Sequence, residues 1–329
     1  MLPFLSAGMS SEDFVRGMLY LSLIVVGIPG NVAVIVAFLF LIYEKNMLLT
    51  ADAIVLQLAC ANLLVVVVRC LLETLASFRL ANVFGDVGCK SVIFIYRFSR
   101  ALSVWLTFLL SAYQCLSIST PGSRWASVCV MVAQNLPFVF LFLWVLNTSL
   151  SVGALAFSIS SNNGSSLPKS AVNTQFCYVN FPSELSKKVY GAAQVSRDVV
   201  PMVFMILTSL IILVFLYKHS QHVKGLSSGC STSGGGCAAK QRAAKVVVAL
   251  VTIYVVLYGV DNGLWVYTLT VRQTISSSLI SDLRVFFASL YAALSPLVII
   301  VSNRKVNSRL RCATQEKPLL GKTARLSSL

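Results

Sequence analysis

The chain has 329 residues, of which 57% are hydrophobic and only 11% charged, against about 25% charged in a typical soluble domain. Charge this scarce cannot cover a water-soluble surface, which excludes an ordinary soluble enzyme, a secreted disulfide scaffold and a disordered regulator. The formal net charge of +15 does not imply nucleic acid. The Lys and Arg residues gather between apolar stretches and in the C-terminal tail, as they do in a membrane protein with basic cytoplasmic loops.

A spanning helix needs about 20 mostly apolar residues. Seven stretches meet this: Gly17–Tyr43, Ala51–Phe78, Val87–Ser119, a span within the uncharged run Trp125–Ser160, Val189–Tyr217, Ala243–Val271 and Leu283–Ser302. They are too long, and too little alternating, to be barrel strands. The expected fold is therefore an all-α membrane protein, a seven-helix bundle occupying 17–302. An extracellular N-terminus (1–16) precedes it, and a cytoplasmic tail with a short amphipathic helix (303–329) follows.

Orientation follows from the basic residues. One side collects Lys45, Arg124, Lys218, Lys224, Lys240, Arg242, Lys245 and seven more from Arg304 to Arg325, a total of 14. The other side carries Arg16, Arg79, Lys90, Lys169, Lys187, Lys188, Arg272 and Arg284, a total of 8. The richer side is expected in the cytoplasm, so the N-terminus is outside and the C-terminus inside. No cleaved signal peptide is needed, because the first span can act as its own anchor. The connections are short except Ser160–Lys188 outside and the Gly/Ser-rich His219–Arg242 inside, which reads as flexible linker.

Cys60, Cys70, Cys115 and Cys129 fall in or beside spans and read as small buried hydrophobes. Cys89 and Cys177 are the two cysteines on the outer side. A disulfide between them is expected to tie the second outer loop to the third span. Cys312 follows the basic stretch Asn303–Arg311 and is a candidate for palmitoylation. Asn163 heads a glycosylation sequon in the outer loop; Asn147 also fits the pattern but falls within the membrane.

No catalytic constellation, phosphate loop or metal cluster is present in the sequence, so neither an enzyme nor a cofactor is expected. His219 and His222, the chain's two histidines, lie beside Lys218 and Lys224 on the inner side. Ionisable residues within spans are costly and mark candidate functional positions. Here they are Arg69, Glu73, Arg97, Arg100, Arg197, Asp198 and Asp261. Arg97 and Arg100 share a face of the third span, with Asp198 and Asp261 at comparable depth. This predicts a pocket in the outer half of the bundle, the competing reading being interhelical ion pairs that only brace it. Asn31 and Asn62 read as interhelical hydrogen-bonding residues.

Several strings are more specific. Gly30-Asn31, Cys60-Ala61-Asn62, Tyr113-Gln114-Cys115 and Ser295-Pro296 fall where the rhodopsin-like G-protein-coupled receptors have their motifs, in altered form. Gln114 stands at the position of the usual Arg, and Asn62 at that of the sodium-site Asp. Together with Arg97-Phe98-Ser99-Arg100, Leu109–Ser119, Ser123-Arg124-Trp125, Trp144–Asn147, Ser196–Val199 and Phe215–Val223, the chain resembles the vomeronasal type-1 receptors. The Gly-rich inner loop and Asp261-Asn262 tilt the resemblance toward their fish relatives.

The resemblance implies a chemosensory receptor of the plasma membrane. It implies a small pheromone-like ligand; the planar fork of Arg97 and Arg100 favours an acidic one, with an amine on Asp261 as the rival and Trp105, Phe98 and Trp265 expected under its apolar part. It also implies a heterotrimeric G protein at the inner ends, where Tyr113, Gln114, Arg124, Lys218 and Lys245 are the contact positions. Sodium modulation is not expected without an Asp at position 62. A seven-span transporter or channel, and a bitter-taste-type receptor, remain as alternatives. The Cys89 and Cys177 pair speaks against the last.

Overall fold

In the computed structural model, residues 11–45, 48–78, 86–118, 124–160, 172–173, 177–179, 183–225, 234–270, 277–302 and 306–307 are described. The helices are α1 (Ser11–Lys45), α2 (Thr50–Val65), α3 (Leu71–Ser77), α4 (Asp86–Ile118), α5 (Arg124–Gln134), α6 (Leu136–Phe157), α7 (Glu184–Gly225), α8 (Gly234–Thr270) and α9 (Ser277–Ser302). A π-helical turn, Val66–Cys70, joins α2 to α3 as one continuous rod. Among the described residues, seven helical segments are long and apolar enough to cross a membrane. With no water available in a bilayer, each satisfies its backbone within itself.

α4 is the central post. It packs against α2, α6, α7 and α8, while α1 closes on α9 and on the α2–α3 rod. The buried core follows this arrangement: Leu58, Leu102, Val104 and Leu106 meet Leu250, Tyr254 and Tyr291. The bundle's outer skin is apolar too, with Leu39, Phe142, Phe204 and Val256 exposed. This inverts the pattern of a soluble helix bundle, and it suits lipid as the surrounding solvent.

The contact between α1 and α9 shows why particular residues stand where they do. Pro296 lies inside α9 and has no N–H to offer the carbonyl of Ala292 one turn back. Asn31 supplies the missing donor: its side-chain amide donates to Ala292 O at 3.0 Å, and to Gly27 O at 2.8 Å. Close approach makes this reach feasible. A Cβ on Gly30 would sit 2.9 Å from Pro296 Cγ, and one on Gly27 would sit 3.1 Å from Ala293 Cα.

Three elements differ from expectation. The uncharged run Trp125–Ser160 is two helices broken at Asn135. The cause is Pro137, which cannot donate to the carbonyl one turn back and crowds it; the Asn135 amide bonds back to Met131 O at 2.9 Å. The long loop after α6 contains a small antiparallel sheet, with β1 (Ser158–Ser160), β2 (Val172–Asn173) and β3 (Cys177–Val179) in the order β1-β3-β2. Ser160 is paired with Cys177 in it. Finally, α1 begins at Ser11, and α7 and α8 run on to Gly225 and from Gly234, into the stretch read as linker. In the tail, only Val306 and Asn307 are described; they are helical, with Val306 buried.

Candidate functional site

The sheet between α6 and α7 marks one end of the bundle, the sheet end. Arg100 lies about 21 Å down α4 from that end, at about 1.5 Å per residue. Asp198 lies about 21 Å down α7 and Asp261 about 14 Å down α8 by the same rise. The three meet in the structure. Arg100 Nη2 donates to Asp198 Oδ2 at 2.9 Å and also to Asp261 Oδ2. Asp198 takes a second guanidinium, Arg197 Nε, at 3.0 Å. Asp261 takes Arg284 Nε, from the first turns of α9, at 3.2 Å. The result is a continuous ion network across α4, α7, α8 and α9, all of it in the bundle's interior.

Three guanidiniums face two carboxylates in this network. Burying charge is tolerable only when it is paired and hydrogen-bonded, and each of these three guanidiniums meets at least one of the two carboxylates. Arg100 also lies over the Tyr258 ring, 5.0 Å from its centroid, whose negative face attracts it. Arg197 Nη1 and Arg100 Nε are buried with no hydrogen-bond partner among the described residues.

Arg97, one turn toward the sheet end, adds another cation. Its Nη1 donates to the Tyr190 hydroxyl at 2.6 Å, and its guanidinium lies 5.2 Å from that ring's centroid. Among the described residues no carboxylate lies within ion-pair distance of it. Tyr190 in turn presses on α6 at Gly153, where an added Cβ would come within 2.9 Å of Tyr190 Cε2. A second buried pair, Arg69 and Glu73, sits at the π turn at 2.5 Å, with Arg69 5.4 Å from the Tyr96 centroid. The charges of that pair cancel.

Beneath Arg100 the interior changes from ionic to aromatic and then to neutral polar. Tyr258 stacks on Tyr254 at 4.3 Å between centroids, and Tyr291 meets both edge-on at 5.8 and 5.2 Å. The Tyr291 hydroxyl shares a 2.9 Å hydrogen bond with Thr107. One turn away, Ser103 donates to Asn62 Oδ1 at 2.6 Å, and the Asn62 amide donates to Ser295 at 2.8 Å. The two asparagines thus make the interhelical hydrogen bonds expected of them.

Of the aromatic residues expected near a ligand, Phe98 stacks on Phe94 and meets Trp144 of α6 edge-on at 5.9 Å. At about 100° per residue it lies roughly 160° around α4 from Arg100. Trp105 meets Phe108 edge-on at 6.1 Å and keeps a buried Nε1 with no partner among the described residues. Trp265 is helical in α8, but its side chain lies outside the described residues.

At the opposite end of α4, Gln114 is buried at 7% exposure and Tyr113 is half-buried. Arg124, Lys218 and Lys245 are exposed on α5, α7 and α8. Cys89 is buried and disulfide-bonded. Cys177 is placed in β3, but its side chain lies outside the described residues, as does Asn163 altogether. Asn147 is buried and donates to Leu143 O at 2.8 Å.

Three participants escape a reading of the sequence. Arg284 groups with the outer-side loops because it follows the start of its span so closely; the Asp282-Leu283-Arg284-Val285 string inside an apolar run is the available signal. Tyr190 and Tyr258 carry none, because tyrosines are common in spans and only tertiary contact brings their rings to Arg97 and Arg100.

A bundle of seven membrane-length helices among the described residues, with a buried ionic cluster in its sheet-end half and a polar seam below it, defines a multi-pass membrane protein. The family described as the vomeronasal organ pheromone receptor family matches residues 15–312. The zebrafish (Danio rerio) olfactory receptor class A-like protein 1 is 36% identical over 92% of this chain and 94% of the relative. The human vomeronasal type-1 receptor 3 is 30% identical over 66% of this chain and 70% of the relative. The orangutan (Pongo pygmaeus) vomeronasal type-1 receptor 4 is 25% identical over 89% and 95%. The chain belongs to the vomeronasal organ pheromone receptor family. That is a family of receptors rather than enzymes, and its members are multi-pass proteins of the plasma membrane.

Proposed function

We propose that this member of the vomeronasal receptor family is a chemosensory receptor of the pheromone or odorant type. It takes a small organic ligand in the sheet-end half of the bundle and activates a heterotrimeric G protein from the opposite end. In this reading the sheet end faces outward and the C-terminal tail inward, and Asn163 carries a sugar. The observation that supports the ligand class is Arg97, whose guanidinium meets the Tyr190 phenol and, among the described residues, no carboxylate. A guanidinium presents a planar fork that suits a carboxylate or sulfate. The ligand is therefore an organic acid whose charged group meets Arg97. Arg100, Asp198 and Asp261 wall the site, and Trp265 lies one turn from Asp261 along α8.

Expression in reporter cells with a promiscuous G protein, against a panel of small acids and amines, tests the reading. Arg97→Ala is expected to reach the cell surface and to raise the half-maximal concentration of an active acid at least about tenfold. A charge-assisted hydrogen bond contributes about 1.5–3 kcal/mol. An active amine that survives Arg97→Ala but is silenced by Asp261→Asn would instead identify a cationic ligand. A substrate-dependent current or uptake with no G-protein signal would identify a transporter or channel.

The coupling end carries its own expectation. Gln114 is neutral, so it cannot make the ion pair that an Arg there makes with a neighbouring acid, and the preceding Tyr113 supplies no acid. The inactive state is held by other contacts. Gln114→Arg is expected to change basal or ligand-driven signalling at equal surface expression. Superimposable dose-response curves would show that the position does not couple.

A further inference from the structure

Gly153 stands in the last turns of α6, next to the sheet, and Tyr190 in the second turn of α7. A Cβ added at Gly153 would sit 2.9 Å from Tyr190 Cε2 and 3.7 Å from its Cδ2 and Cζ. The edge of the tyrosine ring thus occupies the space that a side chain at position 153 would need. The same ring holds Arg97 of α4 at two points. Its hydroxyl accepts from Arg97 Nη1 at 2.6 Å, and its centroid lies 5.2 Å from the guanidinium carbon. Gly153, Tyr190 and Arg97 therefore form a chain of direct contacts from α6 through α7 to α4.

An arginine is hard to aim. Its guanidinium rides on a long flexible stem, and a ligand that has to order that stem loses affinity in doing so. Tyr190 orders it in advance. It engages Nη1, and among the described residues Nε and Nη2 make no hydrogen bond. Such an edge can receive a carboxylate through two parallel bonds.

We propose that Tyr190 is a positioning residue for Arg97, and that Gly153 is the position that sets where Tyr190 stands. The carboxylate of the ligand meets the Nε and Nη2 edge of Arg97, and Tyr190 fixes the direction in which that edge points. This rests on the reading that an organic acid meets Arg97. An alanine at 153 would push the ring away by roughly half an ångström or more, to reach an ordinary carbon contact of about 3.5–4.0 Å. The hydroxyl, one bond beyond Cζ, moves with it.

The full-length receptor in reporter cells provides the test, with straight-chain and aryl monocarboxylic acids as probes. Tyr190→Phe keeps the ring and removes one hydrogen bond. Gly153→Ala alters no polar group, and alanine is a better helix former than glycine, so a loss of response cannot come from a weakened α6. Each is expected to raise the half-maximal concentration of an active acid about two- to tenfold, the order of one hydrogen bond, with surface expression and maximal response unchanged. Because Gly153 acts through the hydroxyl, Gly153→Ala should add nothing in the Tyr190→Phe background, and neither should add to Arg97→Ala. Should Gly153→Ala not reach the surface, adding Tyr190→Leu, which removes the ring edge, is expected to restore it with the response of Tyr190→Leu alone. Failure to restore it would show that position 153 packs on something else and overturn its role. A response lost in Arg97→Ala but unchanged in both Tyr190→Phe and Gly153→Ala would leave Arg97 a ligand contact and overturn the positioning. Additive losses would do the same, since Gly153 would then act through packing. No response to any acid, or one unchanged in Arg97→Ala, would instead overturn the acid reading and this proposal with it.

Discussion

Arg100→Met is expected to keep the receptor from the cell surface. Among the described residues, Arg100 is the one group that touches both Asp198 and Asp261, and through them it joins α4 to α7 and α8. Each carboxylate would keep one guanidinium, Arg197 or Arg284, but lose the cation between them. Removing one partner from a buried ion pair costs about 3–5 kcal/mol, a large part of the roughly 5–15 kcal/mol that holds a folded domain together. Surface labelling of intact cells against total protein measures the loss. Arg100→Met with Asp261→Asn should recover part of it, because one of the stranded charges is gone. Arg97→Ala, which breaks only a bond to a phenol, should leave surface expression intact. A normally expressed Arg100→Met that has lost only its response to an acid would make Arg100 a ligand contact rather than a brace.

Cys89→Ser is expected to lower surface expression sharply, and Cys177→Ser to do the same. Cys89 is buried and disulfide-bonded near the start of α4, and β3, which carries Cys177, pairs with the strand leaving α6. We assign the bridge to these two residues. It would hold the sheet to α4 above the ion network. Loss of a native disulfide typically costs about 2–5 kcal/mol. The pairing is read from the double variant: two residues of one bond are non-additive, so Cys89→Ser with Cys177→Ser should be no worse than either alone. Additive losses would mean the cysteines act separately, and mass mapping of unreduced peptides would then identify the true partner of Cys89.

The apolar periods and the sparse charge determined much of this protein before any contact was known. Seven spans, the all-helical bundle and the family resemblance were legible because each is a local property. A stretch such as Gly17–Tyr43 is long and apolar whatever it packs against, and strings such as Arg97-Phe98-Ser99-Arg100 are read in place. The costly residues of the interior were legible for the same reason, since Arg97, Arg100, Asp198 and Asp261 stand out against apolar neighbours. Their partners were decided only in three dimensions. Depth along separate helices does not specify rotation about them, so nothing local joined Arg100 to both carboxylates, drew Arg284 inward, or turned Phe98 toward Trp144. Asn31 was legible as a hydrogen-bonding residue, but that its target is the carbonyl released by Pro296 follows from the close approach of α1 and α9. The sheet after α6 was invisible for another reason: its strands are two or three residues long, too short for a period, and they exist because the chain pairs with itself beside α4.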